Sequence, residues 1–280
     1  MNPDNPPVIL SLSSLDPSGC QGIQADIETS ASLGCHCTSV ATSLCSNGDI
    51  ENCDVSPVDS LLIIEQARSL LENMDVRAIK IGFPGSVANV EAIHSILKDY
   101  SHIPVILKPN LGMWSPENAQ GQEKNLARAI ASLLLPLAEL AVLSHEDTQY
   151  LAQGCDTLDA IAQNLMGSGC QYLLATTPGP SKYQTQSALY GINGLIVNHP
   201  HNPNRLNDCD HNSTLAGAIT AMRAHECPIE TAVEQALHFT QQAMDSAREL
   251  GFNRPTPYRL FWADKNNRKN EGVMNPDYTH

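Results

Sequence analysis

The sequence predicts an α/β fold in which a mostly parallel sheet is covered by helices on both faces. Short apolar runs, typical of buried strands, alternate along the chain with amphipathic stretches that repeat at helical spacing. The first run, residues 8–12, is followed by a glycine-bearing turn and then by a helical pattern. Strands that alternate with helices indicate βαβ units, whose strands lie parallel to one another.

Six strand patterns precede one hairpin. Strands are predicted at residues 8–12, 38–44, 76–82, 104–107, 140–144 and 172–175, with the hairpin over 187–197. The first helix is predicted to end at residue 33, before Gly34, and the others to span 57–72, 87–97, 127–135, 158–165, 214–225 and 229–250. We expect one domain over residues 1–263 and a polar, disordered tail over residues 264–280.

Composition and charge narrow the class of protein. The 280 residues are 42% hydrophobic, enough for a sizeable core, and carry a formal net charge of −14. An acidic balance of this size argues against nucleic acid or an anionic membrane as the main partner. No apolar run reaches membrane-spanning length, and the first residues lack the features of a signal peptide. We therefore expect a cytoplasmic protein that binds a small molecule.

The chain has nine cysteines, an odd number, and several of them lie within apolar runs. Cys35 and Cys37 are separated by one residue, which is not the spacing of a zinc knuckle, and no second pair lies nearby in the sequence. The pattern predicts reduced thiols and no metal site.

Residues 16–26 are the most informative stretch of the chain. They connect the first strand to the first helix, and their glycines allow the backbone to come close to a ligand. Ligands of parallel α/β sheets bind beyond the carboxyl ends of the strands, where this turn lies. Asp26 lies about one turn into the helix and is placed to hydrogen-bond a polar ligand. We therefore predict that Asp26→Ala weakens ligand binding more than folding. The alternative interpretation of residues 16–26 is an ordinary strand–helix connection with a polar cap, which has the same spacing.

The motif Asp-Pro-Ser-Gly-x-x-Gly-Ile-Gln-Ala-Asp over residues 16–26 resembles the N-terminal signature of hydroxymethylpyrimidine/phosphomethylpyrimidine kinases. These are thiamin-biosynthesis enzymes of the ribokinase-like superfamily. The resemblance implies a three-layer α/β/α domain with a mostly parallel central sheet. It also implies ATP- and Mg²⁺-dependent phosphorylation of 4-amino-5-hydroxymethyl-2-methylpyrimidine, and a homodimer by analogy.

The resemblance places the family's pyrimidine pocket on five residues that follow the first three strands. Asp26 is identical to the family residue, and Asn47 keeps an amide on a shorter side chain than the family glutamine. The other three pocket positions differ from the family and fall on Ser14, Cys45 and Phe83. Core packing is the alternative interpretation of Cys45 and Phe83.

Three positions that the resemblance assigns to the nucleotide have lost the family's residue types. Lys108 stands where the family has an aspartate turn, Thr148 where it has the glutamate of Thr-Pro-Asn-x-x-Glu, and Ala175 where it has the lysine of Lys-Gly-Gly. Lys108 either neutralises phosphate charge or is a solvent-facing loop lysine.

The loop before Thr214 differs most from the family. The family has Gly-Thr-Gly-Cys (or Asp) there, and this chain has Asp210, His211, Asn212 and Ser213. Two glycines would let backbone N–H groups surround a phosphate without a Cβ in the way. The resemblance places the catalytic position on Ser213 and a nucleotide contact on Asn212, and Asp210 or His211 is a candidate base. Ser213 is alternatively an ordinary N-cap.

Three functions therefore remain open on the sequence. The first is the ATP-dependent kinase that the resemblance implies. The second is a catalytically impaired homologue that keeps a pyrimidine-like pocket and acts as a binding or regulatory protein. The third is a kinase of a related ring alcohol such as pyridoxine.

Overall fold

A nine-stranded sheet forms the centre of the molecule. The computed structural model describes residues 5–46, 54–113, 122–178, 185–201, 211–251 and 255–263. The strands of the sheet are β1 (Val8–Leu15), β2 (His36–Cys45), β3 (Val55–Pro57), β4 (Val76–Ile81), β5 (Val105–Leu107), β6 (Leu140–Leu143), β7 (Tyr172–Pro178), β8 (Thr185–Gly191) and β9 (Gly194–His201). Their order is β3-β2-β1-β4-β5-β6-β7-β8-β9, parallel from β2 to β7 and antiparallel at both edges.

Helices cover both faces of the sheet. They are α1 (Gly22–Ser32), α2 (Ser60–Asn73), α3 (Val87–Asp99), α4 (Gln122–Ala129), α5 (His145–Leu151), α6 (Leu158–Gly167), α7 (His211–Ala224) and α8 (Ile229–Asp245). Helices α2 to α6 contribute to one apolar cluster, and α1, α7 and α8 pack on the opposite face. Strand β5 shows why the central strands are apolar throughout, because Val105 and Leu107 join the first cluster and Ile106 joins the second.

The order of the strands reverses direction at β1. From β1 the chain moves to β2 on one side and then returns to β4 on the other side. In open α/β sheets the crevice beyond the carboxyl ends of the strands at such a reversal is the usual ligand site. The turn over residues 16–21, which follows β1, lies at this point.

The predicted three-layer arrangement with a mostly parallel sheet is confirmed, and every predicted strand and helix has a counterpart. The predicted helix 127–135 begins earlier, as α4, and continues as a π-turn and a 3₁₀ turn to Leu137. Prediction missed β3 and α5 because they are short, at three and seven residues. It extended α8 too far, since residues Arg248–Glu249 form strand β10, which pairs with β11 (Pro255–Thr256). The predicted tail, 264–280, lies outside the described residues.

Within the described residues, no helix combines the length and the apolar content that crossing a bilayer requires.

The seven cysteines among the described residues are free thiols. Burial raises the pKa of Cys35 and Cys37 to about 12 and the pKa of Cys170 to about 11. Thiolate is the nucleophilic form, so these three thiols should react slowly with iodoacetamide in the native protein.

We predict that native alkylation at pH 8 modifies half-buried Cys155 and Cys227 well before Cys35, Cys37 and Cys170, as followed by mass spectrometry. After unfolding without reductant, all nine cysteines should be modified. Protection of two or more pairs in the unfolded chain would contradict the prediction of reduced thiols.

Candidate functional site

Asp16 holds together the turn that follows β1. Its carboxylate accepts hydrogen bonds from the Ser18 amide at 2.8 Å, from the Ser18 hydroxyl at 2.8 Å and from the Gln21 amide at 3.2 Å. Asp16 is buried. Its charge is therefore committed to the shape of the turn, which an Asx-type arrangement of this kind stabilises.

Gly22 begins α1 in close contact with the end of β1. Its φ is +68°, and a Cβ at this position would lie 2.2 Å from the carbonyl oxygen of Ser14. Any other residue would therefore separate α1 from β1. Ser14, predicted to bind substrate, is buried beneath this contact.

Asp26 lies inside the protein, below the turn. Its carboxylate is fully buried, accepts a hydrogen bond from Ser11 at 2.6 Å and forms an ion pair with Lys80. Ser11 and Lys80 are register partners on β1 and β4. Burial raises the pKa of the Asp26 carboxyl above its ordinary value, and Lys80 and Ser11 oppose that shift. Ser11 and Lys80 thus occupy both oxygens of the carboxylate predicted to bind a ligand.

The other predicted substrate residues are distributed over the core and the sheet edge. Phe83 belongs to the apolar cluster under α2 to α6, as its alternative interpretation requires, and its carbonyl accepts a hydrogen bond from Thr42 at 2.6 Å. Cys45 is half-buried at the end of β2, packed against the same cluster. Asn47 lies outside the described residues.

A buried lysine connects the loops that follow β5 and β6. The ammonium of Lys108 donates to Asn110 Oδ1 and to Asp147 Oδ2, each at 2.7 Å. Asp147 also accepts from the amides of Leu111 at 2.8 Å and Ser144 at 2.9 Å. Lys108 is thus not the solvent-facing lysine that one interpretation predicts, since its exposure is 2%.

Asn110 extends this network to the signature turn. Its side-chain N–H donates to Gln21 Oε1 at 2.8 Å. Asn110 has a φ of +55°, a left-handed conformation that asparagine tolerates better than most residues. The loops that follow β1, β5 and β6 are therefore joined by one chain of polar contacts at the carboxyl edge of the sheet.

Thr148 and Ala175, two further predicted nucleotide positions, are buried as Lys108 is. Thr148 lies on α5, where its hydroxyl donates to the His145 carbonyl at 2.7 Å. Ala175 lies within β7 rather than in the loop beyond it, and its methyl group is fully buried in the core. A strand that continues to Pro178 explains the difference, because β8 pairs with all of residues 173–178.

The predicted catalytic loop begins a helix. Helix α7 starts at His211, three residues before the predicted start, so Ser213 lies in its first turn and is not the N-cap. Ser213 and Asn212 are buried, and His211 is half-buried. The described helix therefore includes residues 211–213. Asp210 lies outside the described residues.

The family described as phosphomethylpyrimidine kinase matches residues 16–257, from the signature turn to the segment that follows α8. The chain belongs to the phosphomethylpyrimidine kinase family.

Curated relatives agree with this assignment. The hydroxymethylpyrimidine/phosphomethylpyrimidine kinase of Haemophilus influenzae is 24% identical over 254 residues, which cover 87% of this chain and 93% of that protein. The probable thiamine biosynthetic bifunctional enzyme, chloroplastic, of Oryza sativa subsp. japonica is 23% identical over 252 residues, 87% of this chain and 45% of that one. The chain spans about half or less of the first three curated relatives it matches, with shares of 45%, 21% and 53%.

Solved structures share the fold. The ADP complex of Bacillus subtilis pyridoxal kinase superposes with a TM-score of 0.81 at 20% identity, over 91% of this chain and 98% of that one. The phosphomethylpyrimidine kinase of Clostridium difficile superposes with a TM-score of 0.69 at 21% identity, over 84% and 98%. The ribokinase-like α/β fold expected from the signature is therefore confirmed.

The described residues contain no preformed cluster of metal-binding side chains. Among them, no three His, Cys, Asp or Glu side chains come together in a group that would hold a metal ion. The buried carboxylates nearest the sheet edge, Asp16 and Asp147, are occupied by the Ser18 and Lys108 side chains.

Sequence comparison with the phosphomethylpyrimidine kinase motifs missed Lys80, Asp147 and Asn110. Lys80 gave a signal, because a lysine between Ile79 and Ile81 in a buried strand requires a buried partner. Asp147 gave a weaker one, as the third helical residue after Ser144 in a capping box. Nothing in the sequence indicated that Asn110 would contact Gln21, which is 89 residues away.

Proposed function

We propose that the chain binds the hydroxymethylpyrimidine and phosphomethylpyrimidine substrates of its family and phosphorylates them from ATP at a low rate. The observation that carries the proposal is the position of the family signature. The turn over residues 16–21 lies beyond β1, where the order of the strands reverses. The match of residues 16–257 to the family supports the same activity.

Phosphoryl transfer depends on positioning and charge stabilisation more than on covalent chemistry of the protein. In this proposal the turn held by Asp16 positions the pyrimidine ring near the ends of β1 and β4. The start of α7, which packs against β1, β4, β5 and β6, offers backbone N–H groups and a partial positive charge to the phosphate. His211 is the residue of this first turn whose ordinary pKa suits a general base.

A low rate follows from the charges that the site lacks. Lys108 is neutralised by Asp147, and Ala175 supplies no cation, so neither position adds a net positive charge at the phosphates. These two observations favour a second candidate, a homologue that binds the pyrimidine without transferring phosphate. The pyridoxine-type kinase has no such observation of its own, since the pyridoxal kinases resemble the chain in fold alone.

ATP is the proposed phosphoryl donor. Pyridoxal kinases of the same fold have been solved with ADP and with AMP-PCP. Mg²⁺ enters the proposal as the counter-ion that accompanies ATP. We further propose a cytoplasmic location, a single ribokinase-like domain over residues 1–263, and a homodimer by analogy with the family.

Calorimetric titration of the full chain with the hydroxymethylpyrimidine, with pyridoxine and with ATP–Mg²⁺ separately tests the proposed function. We expect binding of the pyrimidine and of ATP, and slow formation of the pyrimidine phosphate when both are present. Binding of the pyrimidine without product after long incubation would select the second candidate. Tighter binding of pyridoxine than of the pyrimidine would contradict both.

A further inference from the structure

We propose that Arg259 is a positioning residue of the candidate site, which fixes the signature turn relative to the first turn of α7. The inference rests on the proposed function, because it assigns the two tied elements to the two halves of one substrate site. Arg259 lies just beyond residues 16–257, so the family match does not include it.

The guanidinium of Arg259 contacts three elements at once. Its Nε donates to the Thr214 hydroxyl of α7 at 2.9 Å, and one terminal nitrogen donates to Glu28 of α1 at 3.0 Å. The same nitrogen donates to the Gly19 carbonyl at 3.1 Å, and the other one donates to the Cys20 carbonyl. Only a planar fork with several fixed donors can make such a set of bonds, which a lysine cannot reproduce.

The side chain is held rigidly from its own segment. The Arg259 carbonyl accepts from the Ser32 hydroxyl at 2.7 Å, and the Tyr258 amide donates to the Ala243 carbonyl at 3.0 Å. Phe261 packs on Phe239 of α8 with ring centroids 5.5 Å apart. The guanidinium is therefore preorganised by contacts with α1 and α8 and does not depend on a ligand for its place.

A role in stability alone does not explain why a charged side chain is fully buried at position 259. Arg259 has no exposed surface, whereas Glu28, with which it forms an ion pair, is 46% exposed. A buried ion with such partial compensation contributes little net stability, although removing the guanidinium alone leaves the Gly19 and Cys20 carbonyls without their partner. What the arginine adds is a fixed geometry between two carbonyls of the turn and one hydroxyl of α7.

The test compares Arg259→Met and Arg259→Lys with Arg223→Met in the full chain. Arg223 is the matched control, since it is also mostly buried and pairs with Glu139 through two bonds at 2.9 and 2.7 Å, and it contacts neither the turn nor the start of α7. We expect both methionine variants to unfold at lower temperature. Only Arg259→Met should raise the Kd for the hydroxymethylpyrimidine, by about 10-fold or more, because the turn is then no longer preorganised for the ligand.

Arg259→Lys keeps the charge and should fold even where Arg259→Met does not. Its Kd for the hydroxymethylpyrimidine should lie between those of wild type and Arg259→Met. A Kd within twofold of wild type in a folded Arg259 variant would overturn the proposal, as would an equal loss in Arg223→Met. If the wild-type chain binds no pyrimidine, the proposed function fails. Amide hydrogen exchange then tests whether Arg259 fixes the turn relative to α7. Residues 16–22 and 211–216 should exchange faster in Arg259→Lys than in Arg223→Met, and equal exchange would overturn the inference.

Discussion

Asp26→Ala should lower the free energy of unfolding by about 3–5 kcal/mol, because it leaves the ammonium of Lys80 buried without a counter-charge. For a chain of this length that loss corresponds to a fall of roughly 6–20 °C in the unfolding midpoint. Denaturant titration of wild type and variant measures it directly. The expectation from sequence, that ligand binding suffers more than folding, stays a prediction, which the Kd for the pyrimidine in the same variant tests.

The matched control is the exposed pair of Arg68 and Asp99, whose side chains are 38% and 52% exposed. Asp99→Ala should cost less than about 1 kcal/mol, as exposed ion pairs do. Replacing both buried partners, as in Asp26→Leu with Lys80→Met, should recover most of the loss, since paired apolar groups need no compensation. A cost for Asp26→Ala no larger than that for Asp99→Ala would contradict the buried pair.

Stability against pH provides an independent check on the same pair. Burial already raises the pKa of Asp26, and Lys80→Met removes the charge that opposes this shift. An acid whose folded pKa exceeds its unfolded value contributes stability below the unfolded pKa and loses it as pH rises through the folded pKa. Lys80→Met should therefore be most stable relative to wild type near pH 4 and least stable near neutrality, as measured by denaturant titration.

The sheet was predictable because a buried parallel strand needs apolar residues on both faces, and that requirement is visible in runs such as residues 105–107. The signature turn was predictable because Gly22 cannot be replaced where α1 touches Ser14. The partners of the buried charges were not predictable, because the ion pairs Lys80–Asp26 and Lys108–Asp147 connect residues that are distant in sequence. Sequence shows that a buried charge needs a partner, and only the fold shows which one.

The start of α7 shows the limit of motif comparison. Aligned motifs carry roles from one chain to another on the assumption that the backbone is the same. At residues 211–213 the backbone is helical, so the side chains of His211, Asn212 and Ser213 are arranged around a helix. The motif alone therefore does not show which of these side chains faces the phosphate.

We expect turnover of the hydroxymethylpyrimidine to be about a thousandfold below the roughly 1–100 per second typical of kinases. In the sequence Asp210 stands where the family has a glycine of its phosphate loop. A carboxylate about 4 Å from a phosphate would repel it by about 4 kcal/mol at an effective dielectric constant of about 20. The ammonium of Lys108 is paired with Asp147, and Ala175 has no charge, so neither position offsets that repulsion. Phosphate transfer from ATP with Mg²⁺ measures the rate, and turnover of about 1 per second in the unmodified chain would contradict the prediction.

Replacing residues 210–213 by Gly-Thr-Gly-Cys should raise turnover without reaching the rate typical of kinases. The glycines remove the carboxylate and reduce crowding around the phosphate, and Ser213→Cys restores the family's residue at the catalytic position, which replaces His211 as the base. Ala175 still supplies no ammonium and Thr148 no carboxylate. Asp156→Gly, which removes an exposed carboxylate between α5 and α6, controls for net charge and should leave turnover unchanged. Because the replacement acts on the phosphate and not on the ring, the Kd for the pyrimidine should stay within twofold of wild type. Full recovery from these four residues alone would show that the altered positions at 108, 148 and 175 do not limit the reaction.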